Sequence, residues 1–215
     1  MRSLTRSFAL PLLLLVAACG APSMHERLET ARHSLAEVNT LQDHPTIKDM
    51  QDAKGVALLS IVQGGAGIGG EGGGGIVLQR AGTGWGSPFA VDVGAGTLGI
   101  QLGGQGKDVL ILFNDPATLQ EFVKGGMQLQ ALGEGTFGAS SGNTKAPKPA
   151  TSVFTKCQGV FGGLELGGLN VGPARNLNAA TYGKADAEAI LSGKVKPANV
   201  DEPLSRLVKM LDAMH

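Results

Sequence analysis

The glycine cluster Gly65-Ala66-Gly67-Ile68-Gly69-Gly70 satisfies the spacing G-x-G-x-x-G and follows a strand-like run. In a dinucleotide site, the last glycine of this motif leads into a helix whose N-terminus binds pyrophosphate. Here Glu71 and four more glycines follow, and then another strand-like run, so no helix can begin there. The chain also has no Gly-Lys-Ser/Thr sequence, which a P-loop requires. The pattern therefore does not predict a nucleotide site.

The histidines and carboxylates are placed unfavourably for acid–base or metal chemistry. The 4 histidines are His25, His33, His44 and His215, all outside the glycine-rich body. A Ser-His-Asp arrangement would need a histidine from a flanking helix, and two histidines eight residues apart on one helix chelate a metal poorly. Glu71 is the one unusual carboxylate of the body, and we interpret it as a solvated turn residue. We predict no catalytic site, no metal site and no cofactor, and hence a protein that is not an enzyme.

The N-terminus has the pattern of a targeting segment. Arg2 and Arg6 precede the apolar run Phe8 to Ala17, which is too short to span a bilayer comfortably. The run ends in Val-Ala-Ala-Cys-Gly, which resembles a bacterial lipobox, whose cysteine becomes the lipidated first residue of the mature protein. By that resemblance, lipidation falls on Cys19. The alternative is an ordinary secretory signal that is cut near Ala18.

Lipidation of Cys19 predicts a protein that is anchored by lipid in the bacterial cell envelope. Gly20 follows the cysteine, and because it is not the aspartate associated with inner-membrane retention, sorting to the outer membrane is expected. Of the 2 cysteines only Cys157 then remains, which excludes a disulfide framework and a cysteine-based zinc site. We interpret Cys157 as a small buried residue. The formal net charge of +0 does not predict binding of nucleic acid.

The segment from Gly55 to Gly106 is the centre of the predicted fold. Of the 34 glycines, 31 lie between Gly55 and Gly172. Short apolar runs that are bounded by glycine predict β-strands, with the glycines in turns and bulges. The predicted strands are Val56–Val62, Ile76–Gln79, Pro88–Val93, Thr97–Leu102, Val109–Phe113, Met127–Ala131, Thr136–Ser140, Val153–Lys156 and Gly163–Leu169. A polar loop is predicted from Gly142 to Ala150.

Amphipathic patterns predict helices at both ends of the chain. Leu28, Ala31, Leu35 and Val38 form one apolar stripe, which predicts a helix over Met24 to Asn39 that packs on the domain. The other predicted helices are Pro45–Ala53, one that begins at Asp115-Pro116 and ends at Gly125, Ala174–Tyr182, Lys184–Leu191 and Leu204–Met214. Together these elements predict a single α+β domain. Its core is a β-rich, glycine-dense curved sheet or barrel-like structure, flanked by N- and C-terminal helices.

Several motifs of the chain occur in an order that resembles the SYLF domain. They are Asp52-Ala53-Lys54-Gly55-Val56-Ala57, Gly67-Ile68-Gly69-Gly70, Gly84-Trp85-Gly86-Ser87-Pro88, residues 96–103, residues 158–164, residues 178–183 and residues 189–193. The resemblance covers roughly Leu41 to Lys194. One departure is that Tyr182 follows Thr181, where the family often has two aromatic residues. The chain is thus divided into a lipoprotein signal peptide (1–18), an N-terminal linker and helix (19–40) and a SYLF-like domain (41–215).

The resemblance implies a domain that binds lipid. Eukaryotic SYLF proteins bind phosphoinositides and some bind actin, and in a bacterial envelope the corresponding ligand is expected to be an anionic lipid head group. The candidate contacts are Lys54 in the Ala-Lys-Gly motif, Lys48 six residues earlier and, with weaker support, Lys156 and Arg175. Each of these cations could instead be a solvated surface residue. Trp85 either inserts at a membrane interface or anchors a turn or the core.

Two functions from different classes remain open at this stage. In the first, the domain recognises membrane lipid while Cys19 tethers it to the membrane. In the second, the protein is a structural or interaction module of the envelope, and its glycine-rich sheet binds a protein partner without recognising lipid. An exposed basic patch around Lys54 would favour the first function, and a large exposed apolar patch would favour the second.

Overall fold

The computed structural model describes residues 21–125, 128–130, 135–137, 149–163 and 168–214. The signal peptide, Cys19 and most of the predicted polar loop lie outside these residues. The helices are α1 (Met24–Val38), α2 (Ile47–Asp52), α3 (Pro116–Lys124), α4 (Arg175–Tyr182), α5 (Ala187–Leu191) and α6 (Asp201–Ala213). The strands are β1 (Gly55–Ala81), β2 (Gly84–Trp85), β3 (Phe89–Phe113), β4 (Gln128–Gln130), β5 (Gly135–Phe137), β6 (Thr151–Gly163) and β7 (Gly168–Pro173).

All six predicted helices are present, but three of them begin elsewhere than predicted. α5 begins at Ala187, after its N-cap Asp186, rather than at Lys184, and α6 begins at Asp201 rather than at Leu204. Asp115 caps α3 by accepting a hydrogen bond from the Thr118 backbone N–H at 2.9 Å, and Gly125 ends this helix with a left-handed φ of 83°. The third is α2, which was predicted to begin at Pro45. Thr46 is its N-cap instead, because the Thr46 and Asp49 side chains form a reciprocal capping box.

The five strands that were predicted between residues 56 and 113 belong to only two long strands, β1 and β3. β1 and β3 pair antiparallel from Gly55 opposite Phe113 to Val77 opposite Phe89, with one register shift between Ala66 and Ile68. The prediction that the glycine clusters separate short strands was therefore wrong, since most of these glycines lie inside the two strands. β2, which was not predicted, follows a tight turn and pairs antiparallel with the last residues of β1.

The two halves of β1 lie against each other. A straight strand of 27 residues would be about 90 Å long, whereas a domain of this size has a radius of gyration of only about 16 Å. A Cβ atom at Gly75 would overlap the carbonyl oxygen of Leu58, and one at Gly73 would overlap that of Ser60. These glycines are therefore required because the backbone of the second half of β1 contacts the backbone of the first half.

The described strands form one antiparallel sheet of seven strands. Its main order is β2-β1-β3-β6-β5, and β7 pairs with both β3 and β4. The sheet is curved and, within the described residues, open, because β2 and β5 at its two ends do not pair with each other. The predicted class, an α+β domain with a glycine-dense curved sheet and helices at both ends, is confirmed. None of the described helices is long and apolar enough to span a membrane.

The helices pack on this sheet through buried apolar and polar contacts. Leu28 and Leu35 of α1 are fully buried, so α1 packs on the domain as predicted. The Ser34 hydroxyl donates a hydrogen bond of 2.6 Å to Asp108 on β3, inside the same interface. On α4, the Asn178 side chain bonds both the N–H and the C=O of Ala90, at 2.9 and 2.8 Å. These bonds fix the helices to β3 at defined positions.

Candidate functional site

Lys54, the first candidate from the sequence, lies at the corner between α2 and β1. Its backbone N–H donates to the carbonyl oxygen of Phe113 at 2.7 Å, and its own carbonyl oxygen accepts from the Arg80 N–H at 2.9 Å. Ala53 is buried beside it, whereas Lys54 itself is exposed. The backbone is thus held on both sides while the ammonium group extends into solvent. Among the described residues, no carboxylate forms an ion pair with it.

Arg80 is the second cation at this corner, and sequence reasoning missed it. Its guanidinium carbon lies 3.9 Å from the centroid of the Trp85 ring, and Nη2 donates to the Met50 carbonyl oxygen at 3.3 Å. Asp212 of α6 lies 3.8 Å from Nη1 and accepts a hydrogen bond of 3.1 Å from Trp85 Nε1. Burial lowers the pKa of the Arg80 guanidinium and Asp212 opposes that shift, but an arginine stays charged at neutral pH.

A cleft joins these two cations. Its volume is about 410 Å³ and it is lined by Gln51, Ala53, Lys54, Arg80, Gly82 and Thr83. We call it the Lys54 cleft. Arg80 is held rigidly by three groups, whereas Lys54 is exposed, so the cleft combines a fixed cation with an accessible one. A signal for Arg80 was present in the sequence, because an arginine and a tryptophan flank the short turn between β1 and β2 and can stack there.

The other candidate residues lie elsewhere. Lys48 on α2 does not line the Lys54 cleft, and its Nζ lies 3.0 Å from Asp52 one turn later. Lys156 is half-buried on β6, opposite Asp108 of β3. Trp85 is half-buried and bonded to Asp212, which matches the turn-anchor interpretation better than insertion into a membrane. The candidate residues from the sequence therefore do not form a single site.

Arg175, the last candidate, lines a second cleft at the start of α4. This cleft has a volume of about 400 Å³, and its charged lining residues are Arg27 of α1, Asp92 of β3 and Arg175. Arg27 and Asp92 form an ion pair with an N–O distance of 2.7 Å. We call it the α4 cleft. Arg27 was not a candidate from the sequence, because nothing local in the sequence indicates its contact with β3.

The prediction for Glu71 was wrong, because this residue is neither in a turn nor solvated. It lies inside β1 opposite Ala95, and its side chain is 1% exposed. Lys107 of β3, whose side chain is 4% exposed, donates to the Glu71 carboxylate at 2.5 Å. The pair forms because the second half of β1 returns over the first. Cys157, predicted to be buried, is half-buried on β6 opposite Lys107.

The arrangement can bind anions. Both clefts have cations in their lining. Arg27 and Arg80 are fixed by an ion pair or ring stacking, whereas Lys54 and Arg175 are exposed. Among the described residues, no group of three or more His, Cys, Asp or Glu side chains could hold a metal ion. The structure thus defines an α+β domain with two cation-lined clefts.

Comparison with known proteins places this domain in a family. A family model described as "Ysc84: Las17-binding protein actin regulator" matches residues 94–213, which is more than half of the chain. The chain therefore belongs to the Ysc84 family, that is, the SYLF family, and the resemblance seen in its motifs is confirmed. By its description, this is a family of binding proteins. No solved structure matches the chain significantly.

Three curated relatives of the chain come from eukaryotes. The chain is 28% identical over 170 residues to an SH3 domain-containing protein of Schizosaccharomyces pombe, with 74% of this chain and 39% of the relative covered. It is 29% identical over 171 residues to SH3 domain-containing YSC84-like protein 1 of Xenopus laevis, with coverage of 75% and 50%. It is 26% identical over 171 residues to LAS seventeen-binding protein 3 of Saccharomyces cerevisiae, with coverage of 74% and 37%. The chain thus spans half or less of the length of these relatives.

Proposed function

We propose that this chain is a lipid-anchored protein of the bacterial envelope whose SYLF domain binds anionic lipid head groups in the Lys54 cleft. The observation that carries the proposal is the combination of an exposed Lys54, without an ion-pair partner among the described residues, and a fixed Arg80 in one cleft. A head-group phosphate is the ligand for which this combination is suited. The Lys54 ammonium offers three donors to its oxygens, and Arg80 adds positive charge beside them.

The dimensions of the cleft are consistent with this ligand. Its volume of about 410 Å³ falls in the range of small-ligand sites, which is roughly 300–1,000 Å³. Arg80 needs no reorganisation on binding, because Trp85, Asp212 and the Met50 carbonyl oxygen already hold it. Preorganised groups lose less side-chain entropy when a ligand binds. The proposed interaction is electrostatic, so it weakens as salt concentration rises.

Attachment to the membrane is proposed to occur through lipid on Cys19, after removal of residues 1–18, with sorting to the outer membrane. The support is the lipobox-like sequence and the apolar run before it. Replacing Cys19 by serine in the full chain is expected to abolish incorporation of a labelled fatty acid, because serine has no thiol to accept the lipid. Metabolic labelling in a bacterial host measures this. Cys157→Ser is the matched control and should keep the label, whereas a label that persists in Cys19→Ser would contradict the anchor.

The Lys54 cleft is tested with the mature chain, residues 19–215, carrying Cys19→Ser so that no lipid is attached. Every core residue among the described ones lies between Met24 and Leu211, so this chain keeps the whole described core. We expect it to co-sediment with vesicles that contain phosphatidylglycerol and not with phosphatidylcholine alone. Lys54→Ala should weaken the binding about fivefold, which corresponds to one surface cation at an anionic membrane.

Lys48→Ala is the matched control for Lys54→Ala. It removes the same charge from an exposed position outside the cleft, where Asp52 already partly neutralises it. Its effect on vesicle binding should therefore be smaller. If both substitutions weaken binding equally, the chain binds vesicles through its general surface charge and not through the Lys54 cleft. If the chain binds no vesicle at all, lipid recognition by the domain is refuted.

Protein docking is the second candidate function. It is favoured by the printed name of one relative, LAS seventeen-binding protein 3, which describes binding of a protein. The described surface offers it less support, because its large exposed apolar side chains are those of Ile47 and Val62. These two lie on different elements, α2 and β1, and do not define an extended apolar patch. If the chain without its lipid anchor binds vesicles, lipid recognition is supported. If it does not, protein docking is favoured.

A further inference from the structure

The α4 cleft, unlike the Lys54 cleft, is lined by residues that lie close to Cys19 in the sequence. Ala21 and Pro22 line it together with Arg27, Asp92 and Arg175. Cys19 precedes Ala21 by two residues, so their Cα atoms are at most about 7 Å apart in any conformation. A lipid on Cys19 would therefore hold this cleft close to the membrane surface.

Arg27 is held in this cleft by two contacts. Its Nη2 donates to Asp92 at 2.7 Å, and its guanidinium lies so close to Gly74 that a Cβ atom there would overlap it. The Arg27 side chain is only 14% exposed. Its buried Nε has no hydrogen-bond acceptor among the described residues, although buried donors in folded proteins normally have one. The guanidinium is therefore fixed in place but not fully satisfied by the protein.

Arg175 adds an accessible cation at the first residue of α4. It is exposed, and Ala174 before it offers no side-chain cap to the free N–H groups of the first turn. These N–H groups carry the partial positive charge of a helix N-terminus. Two arginines and the start of α4 thus face one aspartate in the cleft, and the local balance of charge is positive.

We propose that the α4 cleft binds the phosphate of a phospholipid in the same leaflet that holds the Cys19 anchor. This inference rests on the anchor of the proposed function, but it concerns a different cleft and a different role. The Lys54 cleft would recognise a lipid, whereas the α4 cleft would fix the orientation of the tethered domain on its own membrane. Arg175 and the first turn of α4 contact the phosphate, and Arg27 supplies fixed positive charge beside it.

The test attaches the mature chain to vesicles through Cys19. A variant with Cys157→Ser leaves Cys19 as the one thiol, which is coupled to a maleimide lipid in vesicles of phosphatidylcholine with or without phosphatidylglycerol. Hydrogen exchange is then measured at the backbone N–H groups of residues 175–177. Because these groups have no partner within the helix, a bound phosphate should slow their exchange, by about fivefold in anionic relative to neutral vesicles.

Arg175→Glu and Asp92→Asn test the α4 cleft, and Lys209→Glu is the matched control. Arg175→Glu should remove the slowing, whereas Lys209→Glu, with the same charge change at an exposed position on α6, should preserve it. Asp92→Asn keeps a carbonyl oxygen opposite Arg27 but removes the negative charge of the cleft, so the slowing should increase. Asp92 is 59% exposed, so this substitution leaves the core unchanged.

Several outcomes would overturn the proposal. It fails if exchange at residues 175–177 is the same in both vesicles, or if Arg175→Glu and Lys209→Glu have equal effects. It also fails if inorganic phosphate at the same concentration slows exchange equally in the uncoupled chain, because the site would then bind a free anion. The two clefts are measured separately, the α4 cleft by exchange at residues 175–177 and the Lys54 cleft by co-sedimentation of the chain without lipid. A negative result for the α4 cleft can therefore be distinguished from a negative result for the Lys54 cleft and from absence of fatty-acid labelling at Cys19.

Discussion

Replacing Lys107 by methionine is expected to lower the free energy of unfolding by about 3–5 kcal/mol. The Lys107 ammonium lies 2.5 Å from the Glu71 carboxylate, and the two side chains are 4% and 1% exposed. Removing the ammonium leaves a buried carboxylate without its cation. A domain has a total stability of only about 5–15 kcal/mol, so the loss should be visible as a large shift of the urea midpoint.

The double variant Lys107→Met with Glu71→Leu distinguishes the ion pair from general damage to the core. Replacing both charges by apolar groups removes the desolvation cost of both, so this variant should recover most of the stability that the single variant loses. Lys48→Met is the matched surface control, because the Lys48–Asp52 pair is exposed and should change stability by less than about 1 kcal/mol. A loss in Lys107→Met as small as that of Lys48→Met would contradict the buried pair.

Replacing Gly75 by alanine is expected to destabilise the domain by about 3 kcal/mol, at the upper end of the cost of overpacking. The new Cβ atom would overlap the carbonyl oxygen of Leu58, and it would lie 2.8 Å from a methyl group of Leu59. A carbonyl oxygen inside a strand cannot move aside as the end of a side chain can. The two halves of β1 would therefore have to separate at this point, and urea denaturation measures the cost.

Gly72→Ala is the control, because it makes the same chemical change three residues away on β1. Nothing lies within 4 Å of a Cβ atom at this position, and Gly72 is exposed. Alanine also restricts the unfolded chain, so this variant should be neutral or more stable by about 0.4–1 kcal/mol. Of the two substitutions, only Gly75→Ala is thus expected to destabilise the domain. Equal effects would show that the halves of β1 do not approach as closely as the structure describes.

Local signals in the sequence were sufficient to predict that the six helices form, but not where each of them begins. Asp115 before Pro116 and Gly125 after Lys124 mark the ends of α3, and both act as predicted. The apolar stripe of α1 likewise predicted both the helix and the face that it buries. Such signals work because a helix end is determined by residues that are three or four positions apart in the chain. The error at Pro45 was of this kind too, since Thr46 next to it is the better cap.

The sequence also identified the family and one residue of the proposed site. The order of the glycine-containing motifs resembled the SYLF domain, and the match of residues 94–213 to the family model confirms that resemblance. Lys54 was singled out and is exposed at a cleft, but its role in binding stays a prediction. The lipid anchor on Cys19 also stays a prediction, because that residue lies outside the described part of the chain.

Only the tertiary structure decided which glycines turn the chain and which allow two strand segments to touch. A glycine inside a folded strand and a glycine in a turn look alike in sequence, so the strands were predicted too short. The return of β1 over itself pairs Glu71 with Lys107, 36 residues away. The packing of α6 places Asp212, 127 residues from Trp85, beside the Lys54 cleft. Periodicity and capping report on neighbours in the chain, whereas these charges are set by contacts between distant segments. The sequence alone therefore determined the helices, the family and an exposed Lys54, and the return of β1 over itself determined the buried charge.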